Sequence, residues 1–190
     1  MKSIAYMLVI VAVGCTSCQE VKEPVEMRTV VVDSLYSVEL PNNMKESYSM
    51  HAYANLQYFA ADWNMYVIGL EDNKANLGEI KARRVQLVHY YDFVENTVTE
   101  LVDTSMLIGV QSFILPNGLD AKIGDYYTYN SQKAYPPLFY RIAVYESDGY
   151  FFQLVLWTPY ESSCDYIGWI DSITNSFDLI PTPEHLAKHR

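Results

Sequence analysis

The longest apolar stretch, residues 138–158 (LFYRIAVYESDGYFFQLVLWT), predicts two strands joined by a tight turn. The turn would be Asp148-Gly149, because Asp-Gly between apolar runs is typical of a two-residue hairpin loop whose central residues adopt positive φ. Such a loop pairs Tyr145 with Phe152 and leaves both faces of the hairpin mostly apolar. Strands that are apolar on both faces belong in the centre of a sheet, with other elements packed over each side.

Two kinds of periodicity predict the remaining elements. β-branched runs and alternation predict further strands. These strands lie at residues 29–40, 54–60, 64–71, 109–115 and 119–130. Apolar residues at helical spacing predict a long helix over 76–101 and a second helix over 160–177. We therefore expect an α+β fold, in which a central antiparallel sheet of about six strands carries helices on both faces.

The N-terminus predicts a lipoprotein signal peptide. Lys2 is followed by an apolar run that ends at Gly14, which is too short to span a bilayer and suits the core of a signal peptide. Small residues precede Cys15 and Cys18, and this arrangement resembles the bacterial lipoprotein box, in which the cysteine is diacylated and becomes the first mature residue. We favour Cys18 for lipid attachment because a polar segment follows it directly. Cys15 is the alternative.

This leader sets the expected domain organisation. Residues 1–17 form the signal peptide and 18–28 form a polar tether. Residues 29–180 form a single domain of ordinary length, and 181–190 form a flexible tail. The predicted location is the bacterial cell envelope, where the lipid anchors the chain. We favour the outer membrane over the inner membrane.

The chain is acidic, with 23 Asp and Glu residues against 13 Lys and Arg and a formal net charge of −10. Cleavage of the leader removes Lys2 and makes the charge more negative by one. Proteins that bind nucleic acid place clusters of Lys and Arg along the phosphate backbone. The sequence contains no such cluster, so we expect no nucleic-acid partner and expect membrane contact through the lipid alone.

Sequence motifs for catalysis are missing. The chain has no Gly-rich phosphate loop, no Gly-x-Ser-x-Gly and no Cys-x-x-Cys followed by a second pair. Glu71-Asp72 could serve acid/base chemistry, and His185 with His189 could share a helix face, but a turn and a chain terminus explain these residues equally well. We predict no catalytic residue, no metal ligand and no cofactor.

Cys164 is the thiol that remains without a partner when Cys18 is the first mature residue. An unpaired cysteine outside the cytoplasm usually survives by being buried, so we expect Cys164 to be buried in the helix at 160–177. Its neighbours Ser163 and Asp165 provide no histidine or activating base, which argues against a nucleophilic role.

Tyrosine is frequent, with 17 residues in the chain. Four of them lie close together in sequence: Tyr126, Tyr127, Tyr129 and Tyr135. Aromatic residues on strands usually pack in the core or across strands. Tyrosine is also favoured at binding surfaces, because it offers a large contact area and a hydroxyl at little entropic cost. We take these four residues as the candidate binding surface.

Several strand and core segments resemble the PsbP-like superfamily, whose members are small sandwiches and include many bacterial lipoproteins. The resemblance rests on Tyr36–Pro41, Leu56–Tyr58, Met65–Ile68, Tyr150–Thr158 and Ser176-Phe177. It implies an antiparallel sheet covered by helices. None of these segments is a catalytic motif in the family, and the family's basic binding surfaces have no counterpart in this acidic chain. The resemblance therefore implies a fold rather than a function.

These observations favour a non-enzymatic, membrane-anchored binding or accessory module that presents a tyrosine-containing surface to an envelope protein partner. Two alternatives stay open. One is a small envelope hydrolase or metal-dependent enzyme that uses loop carboxylates and histidines. The other is a small-ligand carrier whose pocket lies between a helix and the sheet.

Overall fold

The computed structural model describes residues 25–77, 86–100, 104–129 and 136–180, which form an α+β fold, as predicted. The strands are β1 (Met27–Val32), β2 (Tyr36–Pro41), β3 (Lys45–Glu46), β4 (Leu56–Ala60), β5 (Met65–Asn73), β6 (Thr104–Ile114), β7 (Asp120–Tyr129), β8 (Leu138–Glu146), β9 (Tyr150–Pro159) and β10 (Asp178–Leu179). The helices are α1 (Leu87–Thr99) and α2 (Ser163–Asn175). Neither helix of these described ranges is long and apolar enough to cross a membrane.

The strands form two sheets in place of the single predicted sheet. The larger sheet has seven strands rather than six, in the order β3-β4-β5-β9-β8-β7-β6, and the smaller has the order β1-β2-β10. Neighbouring strands are antiparallel in both sheets. Because β5 lies next to β9, the middle of the larger sheet joins the N-terminal and C-terminal halves of the chain.

The hairpin of β8 and β9 has the predicted register along its whole length and lies in the interior of the larger sheet. Its turn differs from the prediction, because neither Asp148 nor Gly149 has positive φ. Ser147 helps to close the loop instead. Its backbone N–H donates to the Tyr150 carbonyl over 2.9 Å, and its Oγ accepts from the Tyr150 N–H over 3.1 Å.

The prediction of one strand at 29–40 is wrong, because this segment contains a hairpin turn. Asp33 and Ser34 have φ of 47° and 57°, the left-handed conformation that suits a tight turn between twisted strands. The Leu35 N–H donates to the Val32 carbonyl over 2.9 Å and closes the turn. The chain therefore folds back on itself and forms the smaller sheet.

In sequence, strands also lie before residue 29, where the first predicted strand began, and after the last predicted strand. Met27 and Arg28, which the prediction assigned to the tether, lie in β1 and pair with β2. At the other end, Asp178 of β10 pairs with Ser37 of β2. The predicted lipid-attachment residues, Cys18 and Cys15, and the tail histidines lie outside the described residues.

Helix α1 is shorter than the predicted helix. Lys74–Asn76 form a 3₁₀ turn, residues 78–85 and 101 lie outside the described part, and the α-helix begins at Leu87. The Leu87 N–H donates to Glu146 Oε2 over 3.1 Å. A carboxylate at a helix N-terminus satisfies a free N–H and interacts favourably with the helix dipole. A residue of β8 therefore fixes where α1 begins.

Two hydrophobic clusters hold the helices against the larger sheet. α1 contributes Tyr91 and Val94 to a cluster that includes Val144 of β8. α2 contributes Ile173 to a second, larger cluster that includes Tyr145 of β8 and the buried residues of β2. The smaller sheet thus shares its core with α2.

Cys164 is exposed, so the prediction of a buried thiol is wrong. The buried residues of α2 include Tyr166, Ile170 and Ile173, which follow helical spacing on one side of the helix. Cys164 lies off this stripe. Its position in a helix was predicted, but its face was not.

Candidate binding surface

The four tyrosines of the predicted binding surface do not stay together. Tyr126 is only 2% exposed, and its hydroxyl shares a hydrogen bond of 2.7 Å with the Tyr91 hydroxyl of α1. Burial is the main cause that raises the pKa of Tyr126. Tyr126 thus belongs to the packing between α1 and the sheet, and its assignment to a binding surface is corrected.

Tyr127 and Tyr129 lie on the other face of β7, because successive strand residues point to opposite faces. Tyr129 is 44% exposed. Tyr127 is partly buried and packs edge-on against the ring of Tyr160, with 4.7 Å between the ring centroids. These residues form a small aromatic surface. Tyr135 lies outside the described residues.

Strand β6, the neighbour of β7, carries a row of exposed apolar side chains. Their exposed fractions are 56% for Met106, 52% for Leu107, 51% for Ile108, 45% for Val110 and 67% for Ile114. The strand is 11 residues long and contains no Asp, Glu, Lys or Arg. Single exposed apolar residues are ordinary on a protein surface, but a contiguous group marks a place of contact.

β6 is also the last strand of the larger sheet, and no other strand of the described ranges pairs with its outer side. An edge strand presents unpaired N–H and C=O groups to any extended chain that approaches it. The opposite edge is β3, which has two residues, Lys45 and Glu46, both charged. A short strand or charged side chains protect an edge against pairing. β6 is long and uncharged, so it has neither protection.

The exposed row of β6 continues onto β7. Met106 lies directly opposite Tyr127, and Tyr129 follows two residues further along β7. A bulge shifts the register between Leu107 and Gly109, so a single irregularity interrupts the edge. We refer to Met106, Leu107, Ile108, Tyr127 and Tyr129 together as the β6 edge surface.

A separate cavity of about 310 Å³ lies between α1 and the sheet face formed by β5, β8 and β9. Its apolar lining includes Ile68 and Leu70 of β5, Phe93 and Val98 of α1, and Val155 and Trp157 of β9. This volume lies near the lower end for small-molecule sites, which are mostly apolar with a few polar groups. The arrangement matches the pocket between helix and sheet that the carrier alternative requires.

Aromatic rings stack across the strands beside this cavity. The Trp157 ring stacks on Tyr66 at a centroid distance of 5.2 Å and lies 6.0 Å from Tyr140. Phe59 extends the row at 6.4 Å from Tyr66. Cross-strand aromatic pairs stabilise a sheet. They give the cavity an aromatic wall, because Trp157 and Tyr140 both line it.

The cavity has few polar groups. The amide of Gln153 lines it, and Gln153 Nε2 donates to Tyr90 Oη over 3.1 Å. Tyr90 Oη in turn donates to Asp72 Oδ2. Burial and then Asp72 raise the pKa of Tyr90, so the phenol stays protonated. This chain of hydrogen bonds fixes the polar side of the cavity in one arrangement.

The carboxylates proposed for acid/base chemistry do not act as a pair. Glu71 and Asp72 are adjacent on β5 and point to opposite faces. Glu71 Oε1 accepts from Asn55 Nδ2 over 2.6 Å, whereas Asp72 binds the Tyr90 hydroxyl. Among the described residues no group of three or more His, Cys, Asp and Glu is arranged to hold a metal ion. Within the described ranges, Glu71 and Asp72 therefore do not provide the paired carboxylates that the hydrolase alternative requires.

Arg141 of β8 is 6% exposed and connects the sheet to α2. Its Nε and Nη2 donate to the two carboxylate oxygens of Asp125 over 2.7 and 2.8 Å, and its Nη1 donates to Asp171 of α2. Burial opposes the charge, but the two carboxylates outweigh it and raise the pKa of Arg141. The bidentate pair with Asp125 orients the guanidinium, and the bond to Asp171 connects it to the helix.

Sequence reasoning missed the most exposed part of the β6 edge surface. The predicted strand began at Gly109, although the structure extends it back to Thr104. Met106, Leu107 and Ile108 are consecutive apolar residues, so they show no alternation of apolar and polar positions. In the structure, side chains on both faces of this strand are exposed. The available signal was an uncharged apolar run in an otherwise acidic chain.

No family model matches the sequence, and no curated protein is similar to it in sequence. Solved structures resemble it at low identity. The cyanobacterial PsbP (CyanoP) of Synechocystis sp. PCC 6803 has a TM-score of 0.60 and 11% identity, over 87% of this chain and 98% of its own. The Saccharomyces cerevisiae Ran-binding protein Mog1p has a TM-score of 0.57 and 8% identity, over 83% and 97%.

LpqN of Mycobacterium tuberculosis, which is involved in cell envelope biogenesis, has a TM-score of 0.56 and 9% identity, over 83% of this chain and 92% of its own. Almost the whole length of each of these proteins is matched. Identities this low concern the fold and not the activity. On this evidence, the chain has the PsbP-like fold.

Proposed function

We propose that this protein is a membrane-anchored envelope lipoprotein that acts as a non-enzymatic accessory module, and that its β6 edge surface binds an extended segment of an envelope protein partner. The single observation that carries the proposal is an 11-residue, uncharged, exposed edge strand. A partner strand added to β6 would satisfy the free backbone groups and cover the apolar side chains.

The chemistry of the surface indicates what kind of segment it accepts. Main-chain hydrogen bonds give affinity in strand addition, and side-chain pockets give specificity. Met106, Leu107 and Ile108 favour apolar side chains, and Tyr127 and Tyr129 add aromatic area with hydroxyls. The surface is neutral although the chain is strongly acidic, so its apolar contacts are not opposed by local charge.

The structural neighbours support a binding role without defining it. Mog1p is a Ran-binding protein, and LpqN is involved in cell envelope biogenesis. The first shows that this fold can serve protein recognition, and the second is consistent with an envelope location. The partner itself has to be found by experiment.

The proposed anchor is a lipid on Cys18, with Cys15 as the alternative. Since β1 begins at Met27, the segment 18–26 would span at most about 30 Å when fully extended. The folded domain would therefore stay close to the membrane surface and meet partners that are themselves attached to it.

The decisive experiment compares capture by matched variants of the intact lipoprotein from solubilised native membranes. Met106→Lys combined with Ile108→Lys places two charges on the β6 edge, which should oppose strand pairing. Tyr48→Lys combined with Tyr53→Lys adds the same charge at positions that are 82% and 83% exposed and distant in sequence. We expect a stoichiometric partner with the wild type and with the control, and at least about tenfold less with the β6 variant.

Two further readouts identify the mode of binding. Hydrogen exchange of the β6 amides should slow when the captured partner is added to the purified protein, and mass spectrometry of the same preparation should show which cysteine is acylated. Equal capture by all three proteins, or unchanged exchange in β6, would mean that this edge is not the binding site.

A second candidate function is favoured by the cavity beside α1. A carrier of a small apolar ligand would enclose it between Phe93, Val98 and Trp157. Val98→Trp should fill the cavity and weaken binding of a fluorescent fatty acid such as cis-parinaric acid by about tenfold or more, without affecting partner capture by β6. Binding that is the same in wild type and variant would exclude the cavity as the ligand site.

A further inference from the structure

A cluster of oxygen-bearing side chains lies where the two sheets meet, away from β6 and from the cavity. Asp33 lies in the turn between β1 and β2, Asn55 lies just before β4, and Glu71 lies on β5. Asn55 Nδ2 donates to Glu71 Oε1 over 2.6 Å and to Asp33 Oδ2. Two carboxylates from distant parts of the chain therefore converge on one amide group.

A second observation comes from a buried tyrosine beneath this cluster. Tyr36 is fully buried, and its hydroxyl has no hydrogen-bond partner among the described residues. Glu71 Oε2 is likewise buried without a partner in this part of the chain. Leaving a buried polar group without a partner is unfavourable. Both groups therefore indicate that something else interacts with them.

The position of the Tyr36 hydroxyl is set by a glycine. A Cβ on Gly69 would lie 2.6 Å from Tyr36 Oη, so a side chain at this position would collide with the hydroxyl. Gly69 and Glu71 are two residues apart on β5 and share a face. Tyr36 thus directs its hydroxyl to the side of the sheet on which the two carboxylates meet.

The electrostatics of the cluster are uncompensated. Asp33 and Glu71 both carry carboxylates, and the only group that bridges them among the described residues is the neutral Asn55 amide. The second carboxylate oxygen of Glu71 is buried. No Lys or Arg of the described ranges forms an ion pair with either carboxylate. A cation would relieve both the repulsion and the desolvation.

We propose that Asp33, Asn55 and Glu71 form a calcium site, with the Tyr36 hydroxyl next to it. Carboxylate, amide and hydroxyl oxygens are the ligands that Ca²⁺ accepts, in flexible geometry and with water in the remaining positions. Mg²⁺ requires a stricter octahedron, and transition metals favour nitrogen and sulfur. A half-turn of the Asn55 amide would bring its Oδ1 to the point where Nδ2 now faces both carboxylates.

The site would tie the two sheets together. Asp33 belongs to the smaller sheet's hairpin, whereas Glu71 belongs to the larger sheet and Asn55 directly precedes its strand β4. With two carboxylates and exposed Asp33 and Asn55, the affinity should match that of weak extracellular calcium modules, with a Kd of about 10⁻⁴–10⁻³ M. Ca²⁺ that binds the folded chain alone stabilises it by mass action.

The test uses the whole mature chain in detergent after removal of metal. Calorimetric titration with CaCl₂ should show one ion per chain, and a CaCl₂ concentration about ten times Kd should raise the melting temperature by several degrees. MgCl₂ at the same concentration should have much less effect. This comparison within the wild type does not depend on whether any variant folds.

Variants then locate the ion. Glu71→Gln removes one ligand charge and should abolish the calcium-dependent shift or weaken binding by at least about tenfold. Asp62→Asn, in the 3₁₀ turn that follows β4, removes the same charge at an exposed position and should leave the shift intact. Equal effects of Ca²⁺ and Mg²⁺, no binding to the wild type, or an undiminished shift in Glu71→Gln would overturn the proposal.

Discussion

At the scale of single residues, Gly124 of β7 decides how α1 packs. A Cβ at this position would lie 1.8 Å from Tyr91 Oη and 2.8 Å from Val110 Cγ2. The missing side chain makes room for the hydrogen bond between Tyr91 and Tyr126, which is buried under the helix. A polar pair is thus accommodated inside an apolar cluster because one strand residue has no side chain.

Replacing Gly124 with alanine should therefore destabilise the fold. We expect Gly124→Ala to lower the free energy of unfolding by about 3 kcal/mol, because the tyrosines must move and their hydroxyl pair is disrupted. Gly168→Ala is the matched control. Gly168 lies within α2, and a Cβ there meets nothing within 4 Å, so alanine should raise stability by about 0.5–1 kcal/mol. Urea denaturation of both variants measures the difference, and equal free energies would contradict the packing argument.

Sequence reasoning could not predict which single tyrosines of β7 are buried. Tyr126 and Tyr127 are neighbours of the same type, yet one is buried and the other faces the β6 edge surface. Alternation predicts that they point to opposite faces, but it does not say which face α1 covers. That choice depends on Gly124 and Tyr91, which come from different elements.

At the scale of elements, Arg141 determines how α2 is held. Its guanidinium joins Asp125 of β7 to Asp171 of the helix, and the arginine is almost completely buried. Removing one partner from a buried charge network leaves the others without compensation. The helix should then be held by its apolar side alone.

We predict that Arg141→Met lowers the free energy of unfolding by about 3 kcal/mol, the lower end for such networks because Asp171 remains half-exposed. Lys122→Met is the comparison, since the Lys122 pair with Asp92 involves a carboxylate that is 54% exposed and should be worth about 1 kcal/mol or less. Thermal unfolding by circular dichroism measures both. Similar losses of stability for the two variants would show that the buried Arg141 network contributes no more than the exposed pair of Lys122 and Asp92.

Elements formed by local signals were predicted, and those set by distant contacts were not. The β8–β9 hairpin follows from two apolar runs and a short loop, so its register was correct. The turn at Asp33 and Ser34 was missed, because both residues adopt positive φ without the glycine that usually marks such a turn. The start of α1 was missed as well, since it depends on a carboxylate of β8.

At the scale of the whole molecule, strand order determines which surfaces exist. β6 is an edge because β7 lies beside β8, and nothing in the sequence of β6 states this position. The described tyrosines of the predicted surface are therefore separated: Tyr129 is exposed and Tyr127 partly buried near the edge, whereas Tyr126 lies inside. The order of strands in a sheet depends on contacts between distant segments, and these contacts leave no periodic pattern of apolar residues in the sequence.

The pairing of β5 with β9 leads to a prediction for truncated chains. A protein that ends at residue 149 lacks β9 and α2, so β5 loses the partner that joins it to β8. We expect such a chain to be unfolded and rapidly cleaved by protease, although it retains the eight strands β1 to β8 and part of both apolar clusters. A chain that ends at residue 180 is the control and should resist cleavage. Resistance of the shorter chain would show that β9 is dispensable.

The same pairing has a consequence for the timing of folding. A polypeptide that emerges amino end first, from the ribosome or through a membrane pore, exposes β4 and β5 long before their neighbour β9 is released. Contacts between segments so far apart in sequence form slowly, and partial chains cannot bury their apolar strands. The chain would thus remain extended, and fit to pass through a narrow channel, until nearly its whole length has crossed.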